Sequence, residues 1–537
     1  MIRDSKIWIA NNAHGEPVSI IPKMANRHGL IAGATGTGKT VTLKVMAESF
    51  SRMGVPVFIA DVKGDVAGMM LPGQDSEDMQ KRIERFGLAE HGFTFEGSPV
   101  TFWDIYGQNG IQLRTTVSEM GPLLLSRILG LNALQSDILT VIFKIADDNN
   151  LLLVDTKDLK ALINFVEEHS KELAPEYGKM SSASIGVIMR AIVALEAEGA
   201  DLFFGEPALN IADWLVREPD GKGMINILDS SSLINNGRLY STFLLWMLSE
   251  LFETLPEVGD LDRPKLVFFF DEAHLLFSGA TKALLDKIEQ VVKLIRSKGV
   301  GVYFCTQNPR DVPDGVLAQL GNKVEHGLRA YTPNDQKAVK AAADSFRVNP
   351  EFSTYDALLN LGTGEAVISF LGADGIPEMA QLCKVLPPQC SMGTIDPAAR
   401  DAQIKASLLY TKYAEPADPF SAYEFLKRRG FEEQQAKEEA AKQEAVQKEE
   451  EKELAAAEKI KQRLAEKEEK EKEKEKQQKT AAARRAAKSV GSTVVGSVGR
   501  EVGKTVGGAF GKTGKRIGGN IGASLGRGLF STLFRTK

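Results

Sequence analysis

Up to about residue 386 the apolar residues fall into short unbroken runs, separated by longer stretches in which they recur every three or four positions. The runs lie at 30–32, 55–61, 223–228, 265–270, 299–305, 323–328 and 365–370. They are continuous more than alternating, as strands buried on both faces of a sheet must be. Short strands alternating with helical stretches predict an α/β fold with a mainly parallel sheet flanked by helices. Between 111 and 214 the strand signals nearly vanish. Segments 123–129, 138–145, 159–166 and 185–195 predict a helical insertion into the sheet domain.

The pattern changes near Asp418. From Glu432 to Gln478 the chain is almost entirely Glu, Lys, Gln and Ala, helix formers with interleaved charge, and a solvated single helix is expected. Val446, Leu454, Ile460 and Leu464 do not sustain a heptad, so a coiled coil is the alternative and not the first expectation. From residue 481 onward Gly, small residues and Lys/Arg take over. The expected organisation is an α/β core over 1–415, a charged helical segment over 416–480 and a Gly-rich basic tail over 481–537.

Composition then narrows the class. Of 537 residues 43% are hydrophobic and 26% charged, which excludes a wholly disordered or membrane-spanning chain. The net charge of −5 hides its uneven placement. Three cysteines, Cys305, Cys383 and Cys390, make neither a disulfide framework nor a C-x-x-C pair, and no zinc or haem site is expected. The start lacks the apolar core of a signal peptide, so the cytoplasm is the expected location, with the inner face of the membrane as the alternative.

The chemistry is concentrated in three places. Gly33-Ala34-Thr35-Gly36-Thr37-Gly38-Lys39-Thr40 fits G-x-x-x-x-G-K-[ST] between a short strand and an amphipathic helix. Its glycines let backbone N–H groups converge on phosphates, Lys39 would reach the terminal phosphates of ATP, and the Thr40 hydroxyl would ligate Mg²⁺. The second place is the strand ending in Asp271-Glu272, where Asp271 is the expected metal holder and Glu272 the acid that activates water. Asp271-Glu272-Ala273-His274 spells the box of a large helicase family. That family's Ser-Ala-Thr and Arg-rich downstream elements are missing from the sequence, so His274 is expected only to start a helix. The third is the strand ending in Thr306-Gln307. Gln307 is the candidate amide that senses the γ-phosphate and positions water.

With these elements placed, the chain resembles the HerA/FtsK superfamily of P-loop ATPases, in the HerA-like branch related to conjugation and type IV secretion motors. The resemblance rests on residues 28–40, 59–65 (with Asp61, Lys63 and Asp65), the Asp271-Glu272 strand, 295–309 and 322–335, and covers roughly 30–370. It is nearest to a bacterial group that carries a charged C-terminal extension. It implies a RecA-like fold of the additional-strand, catalytic-Glu class, a hexameric ring with ATP between neighbours, and DNA in the pore. Such rings need a cation supplied in trans, for which Arg329 is the first candidate and Arg296 the second. Asp61 would orient a Mg²⁺-bound water or Lys63, and Asp65 would either join it or cap a helix. Known DNA helicases of the family begin with a β-barrel, for which the residues before 28 are too few, which weakens the transfer of a DNA-end-processing role.

The tail bears two stripes of glycine at four-residue spacing, 499–511 and 514–526, with Lys and Arg between. It suits an anionic membrane surface, a nucleic-acid backbone or no fixed structure at all. Three functions therefore stand open: an ATP-driven DNA translocase or helicase, an ATP-dependent switch or scaffold for a protein partner, and a membrane-associated motor anchored by its tail.

Overall fold

A computed structural model of the chain describes residues 1–233, 237–259, 261–278 and 282–486. The glycine stripes of the tail lie outside the described residues. The chain divides into two compact units, Met1–Leu426 and Lys427–Lys537. In the second, the described residues belong to the helix Ala422–Ala486, on which Val446, Leu454, Ile460 and Leu464 are exposed.

The first unit is organised around one sheet of thirteen strands. In chain order these are β1 (Ile2–Arg3), β2 (Lys6–Asn12), β3 (Pro17–Ile20), β4 (Gly29–Ala32), β5 (Val57–Asp61), β6 (Val100–Asp104), β7 (Ile111–Gln112), β8 (Ile225–Asp229), β9 (Leu266–Phe270), β10 (Val300–Thr306), β11 (Asn322–His326), β12 (Glu365–Ser369) and β13 (Gln381–Val385). The order β1-β2-β13-β12-β11-β4-β10-β9-β5-β8-β6-β7, with β3 beside β2, has a parallel half from β11 to β7 and an antiparallel wing from β12 to β1.

The aromatic run of β9 explains why the centre is buried on both sides. Phe269 faces one layer, where it stacks on Tyr303 at 5.2 Å and meets Phe50 of α1 (Lys39–Arg52). Phe268 faces the other and stacks on Phe58 at 4.7 Å. An aromatic side chain buries on the order of 150–250 Å², and these rings are almost fully buried, so the central strands are fixed by packing on both faces.

All seven strands expected from the sequence are present within a few residues. Residues 1–27, expected only to be too short for a barrel, supply β1–β3. There Ile7, Trp8, Ile9 and Ala10 are fully buried, and the antiparallel pairing of β2 with β13 joins this hairpin to the sheet. The region expected as a helical insertion carries helices from Val117 to Phe203, whereas its first residues, Ile111–Gln112, form β7. Three of its helices, Val117–Ile128, Ala133–Asp148 and Thr156–Glu168, open on reciprocal capping boxes at Thr116/Glu119, Asn132/Gln135 and Asp155/Asp158. Among the described residues no single helix is long and apolar enough to cross a membrane. One bent pair, Ser170–Tyr177 with Ser182–Ala197, passes that test by length and composition.

Candidate active site

The phosphate loop leaves β4 at Ala32 and enters α1 at Lys39. Gly33, Gly36 and Gly38 have φ of +148°, +76° and +119°, backbone that favours glycine. At Gly33 crowding adds to this: a Cβ would stand 2.5 Å from Cβ of His326 and 3.0 Å from Oγ1 of Thr37. The loop hangs on neighbouring strands. The Gly33 N–H donates to Thr306 O (3.3 Å), Ala34 N–H to Gly327 O (2.9 Å), and Gly364 N–H to Thr37 O (2.9 Å). His326 ties α1 to this frame, with Nδ1 2.8 Å from Glu365 O and Nε2 2.8 Å from the Thr42 hydroxyl. Burial lowers the His326 pKa to about 4, so the ring is neutral. A carbonyl only accepts, hence Nδ1 carries the proton and Nε2 accepts from Thr42.

Lys39 is buried, and its ammonium donates to Gly33 O (2.6 Å) and Ala34 O (3.0 Å) inside the loop. Burial, and next the charge of Lys63, lower its pKa. The loop is thus an anion cradle whose cation rests on the cradle's own carbonyls.

Four adjacent strands end in aspartates along the same edge. Asp61 of β5 and Asp104 of β6 both align with Asp229 of β8, and Asp271 follows Phe270, which pairs with Ala60. Three of these carboxylates shape their own loops. Asp61 accepts from the N–H groups of Lys63 (3.2 Å), Gly64 (2.8 Å) and Val66 (3.1 Å). Asp104 accepts from Tyr106, Gln108 and Asn109, and Asp229 from Ser231 and from Arg400 at 2.8 Å. Asp271 has the Glu272 N–H beside it. Burial, and then the charge of Glu272, push its pKa up to about 7. Burial and then Asp65 raise Asp61 to about 6. A divalent cation would relieve that crowding of negative charge, so the edge is chemically suited to Mg²⁺.

Glu272 sits at the turn after β9 with φ +47°, a left-handed conformation rare outside glycine, and its side chain is only 6% exposed. Its neighbour's N–H anchors the turn, Ala273 donating to Cys305 O at 2.8 Å. Three groups meet its carboxylate: the Lys63 ammonium, His274 Nδ1 at 3.2 Å, and Gln307 Nε2 at 3.3 and 3.4 Å. Burial works to raise the Glu272 pKa, but hydrogen bonding and charge from Lys63, then Gln307 and His274, hold it below the usual value. Gln307 also accepts from the Thr35 hydroxyl at 3.3 Å and so bridges the phosphate loop to Glu272. His274 starts the short helix His274–Phe277, as expected, and the contact with Glu272 adds to that position.

Asp65 caps no helix. Its Oδ2 accepts from the Thr40 hydroxyl at 3.1 Å, and its Oδ1 is buried without a hydrogen-bond partner. A threonine hydroxyl that donates to a carboxylate keeps both lone pairs for a cation, and an orphaned carboxylate oxygen can take a cation-bound water. Thr40, Asp65 and Asp271 therefore fit Mg²⁺, and the glycine cradle with Lys39 fits the phosphates. Lys63 and Asp65 lie in the sequence segment 59–65, but nothing in the spacing tells which carboxylate or hydroxyl each will meet.

The two arginine candidates separate. Arg329 follows β11, which runs parallel to β4, so it stands exposed at the edge where the phosphate loop lies. Arg296 lies in the turn Arg296–Lys298 before β10, at the opposite ends of the strands.

A phosphate loop after β4, an Asp-Glu strand two places away and a polar-ended strand inserted between them define a RecA-like P-loop NTPase of the additional-strand class. The chain belongs to the helicase HerA-like C-terminal family, whose model matches residues 6–516. Among curated relatives it is similar to the DNA double-strand break repair helicase HerA of Sulfolobus acidocaldarius. The identity is 23% over 346 residues, covering 64% of this chain and 62% of that protein. The HerA of Sulfurisphaera tokodaii is 24% identical over 355 residues, with the same coverage. The chain thus spans about 62% of the length of these relatives. Among solved structures, the conjugative coupling protein TrwB lacking its first 70 residues aligns at TM-score 0.48 and 15% identity, covering 74% of this chain and 93% of that one.

Proposed function

We propose that this chain is an ATP-hydrolysing motor of the HerA type that assembles with copies of itself into a ring, a hexamer, and translocates on DNA. The observation that carries the hydrolytic part is Gln307, whose side chain touches both Thr35 of the phosphate loop and the Glu272 carboxylate. That contact brings nucleotide binding and water activation within one side chain of each other.

Mg²⁺ would neutralise charge on the phosphates, held by Thr40 and Asp271 with Asp65 behind Thr40. Lys39 exchanges its two carbonyl partners for phosphate oxygens. Glu272 orients the attacking water and takes its proton, and the Gln307 amide fixes where that water stands. Arg329 is kept as the first candidate for the cation offered to a neighbouring subunit, with Arg296 second. The DNA track is supported by membership of a family whose relatives are named DNA repair helicases. The charged helix and the basic tail are proposed as separate segments that localise the ring.

Glu272→Gln tests the chemistry. It keeps ATP binding and removes the base, so turnover should fall by about 10²-fold or more at unchanged nucleotide affinity. Turnover near that of the unmodified chain would mean that another group activates the water.

A further inference from the structure

We propose that Lys63 is a latch on Glu272: it holds the carboxylate in an ion pair, and phosphates in the cradle compete for the lysine and loosen that hold. This rests on the reading of Glu272 as the general base. A base must offer a free lone pair to water, and its basicity falls when a cation sits on it. In this structure Oε1 of Glu272 is ion-paired with Lys63, while Oε2 faces His274 and both oxygens face Gln307. The Lys63 ammonium is the one full positive charge among these contacts that stands on a long flexible stem.

Exposure is unequal across the pair. The Glu272 side chain is 6% exposed on a turn fixed by the Ala273 N–H, whereas the Lys63 side chain is 39% exposed. The lysine is the partner that can leave. Two features couple its departure to nucleotide. Lys63 and Lys39 already repel each other across the site, so a polyanion placed between them attracts both and competes with Glu272 for Lys63. In addition, Lys63 rides on a loop shaped by Asp61, and Asp65 of that loop accepts from the Thr40 hydroxyl. Any ligand that engages Thr40 therefore pulls on a residue two positions from Lys63. Lys63 is a positioning residue here, acting through Glu272.

The test is the steady-state ATPase of the full chain without polymer, for the unmodified protein, Lys63→Met, Lys63→Arg, Glu272→Gln and the double variant Lys63→Met/Glu272→Gln. Because phosphates compete with Glu272 for Lys63 without abolishing the pair, part of the ATP-bound population stays latched. Removing the charge while keeping the stem frees that part and should raise kcat by about two- to fivefold with KM within about twofold, in line with a partly exposed ion pair. Lys63→Arg should restore the unmodified rate, and the double variant should be as slow as Glu272→Gln alone. A Lys63→Met rate equal to or below the unmodified rate overturns the latch. If the loss is rescued by Arg, Lys63 acts on the phosphates instead. Glu272→Gln reports separately on the base: normal turnover there sinks that reading whatever Lys63 does. Affinity for a fluorescent ATP analogue checks the fold of each variant, and Lys63→Gln replaces Lys63→Met, with the same expected rise in kcat, should the latter not fold.

Discussion

Replacing Gly33 and Gly36 by Ala, one at a time, separates two costs that the phosphate loop combines. At Gly36 φ is +76° and nothing lies within 4 Å of an added Cβ, so only the left-handed backbone resists, at about 1–2 kcal/mol. At Gly33 φ is +148° and the Cβ would meet His326 Cβ at 2.5 Å. The backbone term there is about 1–3 kcal/mol, and overpacking adds about 1–3 more. His326 cannot step aside, because Thr42 and Glu365 O each hold one ring nitrogen at 2.8 Å. If binding requires the intact loop, these costs appear as lost affinity, tenfold for about 1.4 kcal/mol. Titration of a fluorescent ADP should therefore show Gly36→Ala weakened by about 5- to 30-fold and Gly33→Ala by about 30-fold to beyond detection. Equal losses at the two positions would refute the assignment of His326 as a rigid wall behind the loop.

Two further outcomes follow from side chains outside the motifs. Asp65→Ala removes the acceptor that orients Thr40, and the Mg²⁺ concentration for half-maximal ATPase should rise by about tenfold or more. An unchanged Mg²⁺ requirement would remove Asp65 from the metal's surroundings. Glu325 is buried in β11, and burial pushes its pKa up to about 8 from an ordinary 4.5. The folded chain keeps it neutral while the unfolded chain ionises it, so stability is full below the unfolded value and is lost as pH rises toward 8. Glu325→Gln is free of that loss. Its stability advantage in urea should grow between pH 5 and pH 8, to a limit of roughly 4 kcal/mol, and a pH-independent difference would contradict the burial argument.

What was legible in the sequence was what is local. The phosphate loop, the Asp271-Glu272 pair and Gln307 each end or follow an unbroken apolar run, so motif and strand announce one another. β13 and β2 were missed for the opposite reason. Gln381–Val385 has exposed positions between buried ones, and the short apolar run 7–10 of β2 gains its partner only from the far end of the core, Asn12 meeting Cys383. β6 ends in Asp104 between the two-residue β7 and β8, and the long pairing partner, β8, lies beyond the helical insertion. The same distance in sequence hid the supports of the site. Thr42 and His326 stand 284 positions apart, and neither residue type in its local setting announces the bond between them. Lys63 and Asp65 were visible as residues of a shared segment. The partner of Lys63, Glu272, is set by the parallel pairing of β5 with β9, and the partner of Asp65, Thr40, lies on α1 after β4, three places along the sheet from β5; no local pattern encodes either.

The most direct test of the account is the steady-state ATPase rate of the purified chain with no polymer, with double-stranded DNA, with single-stranded DNA and with RNA. Each would be measured at two salt concentrations, with Lys39→Ala as control. The account predicts magnesium-dependent turnover that Lys39→Ala abolishes, and stimulation by DNA that weakens as salt rises. Turnover that survives in Lys39→Ala would contradict the active site, and a rate indifferent to every nucleic acid would contradict the DNA motor.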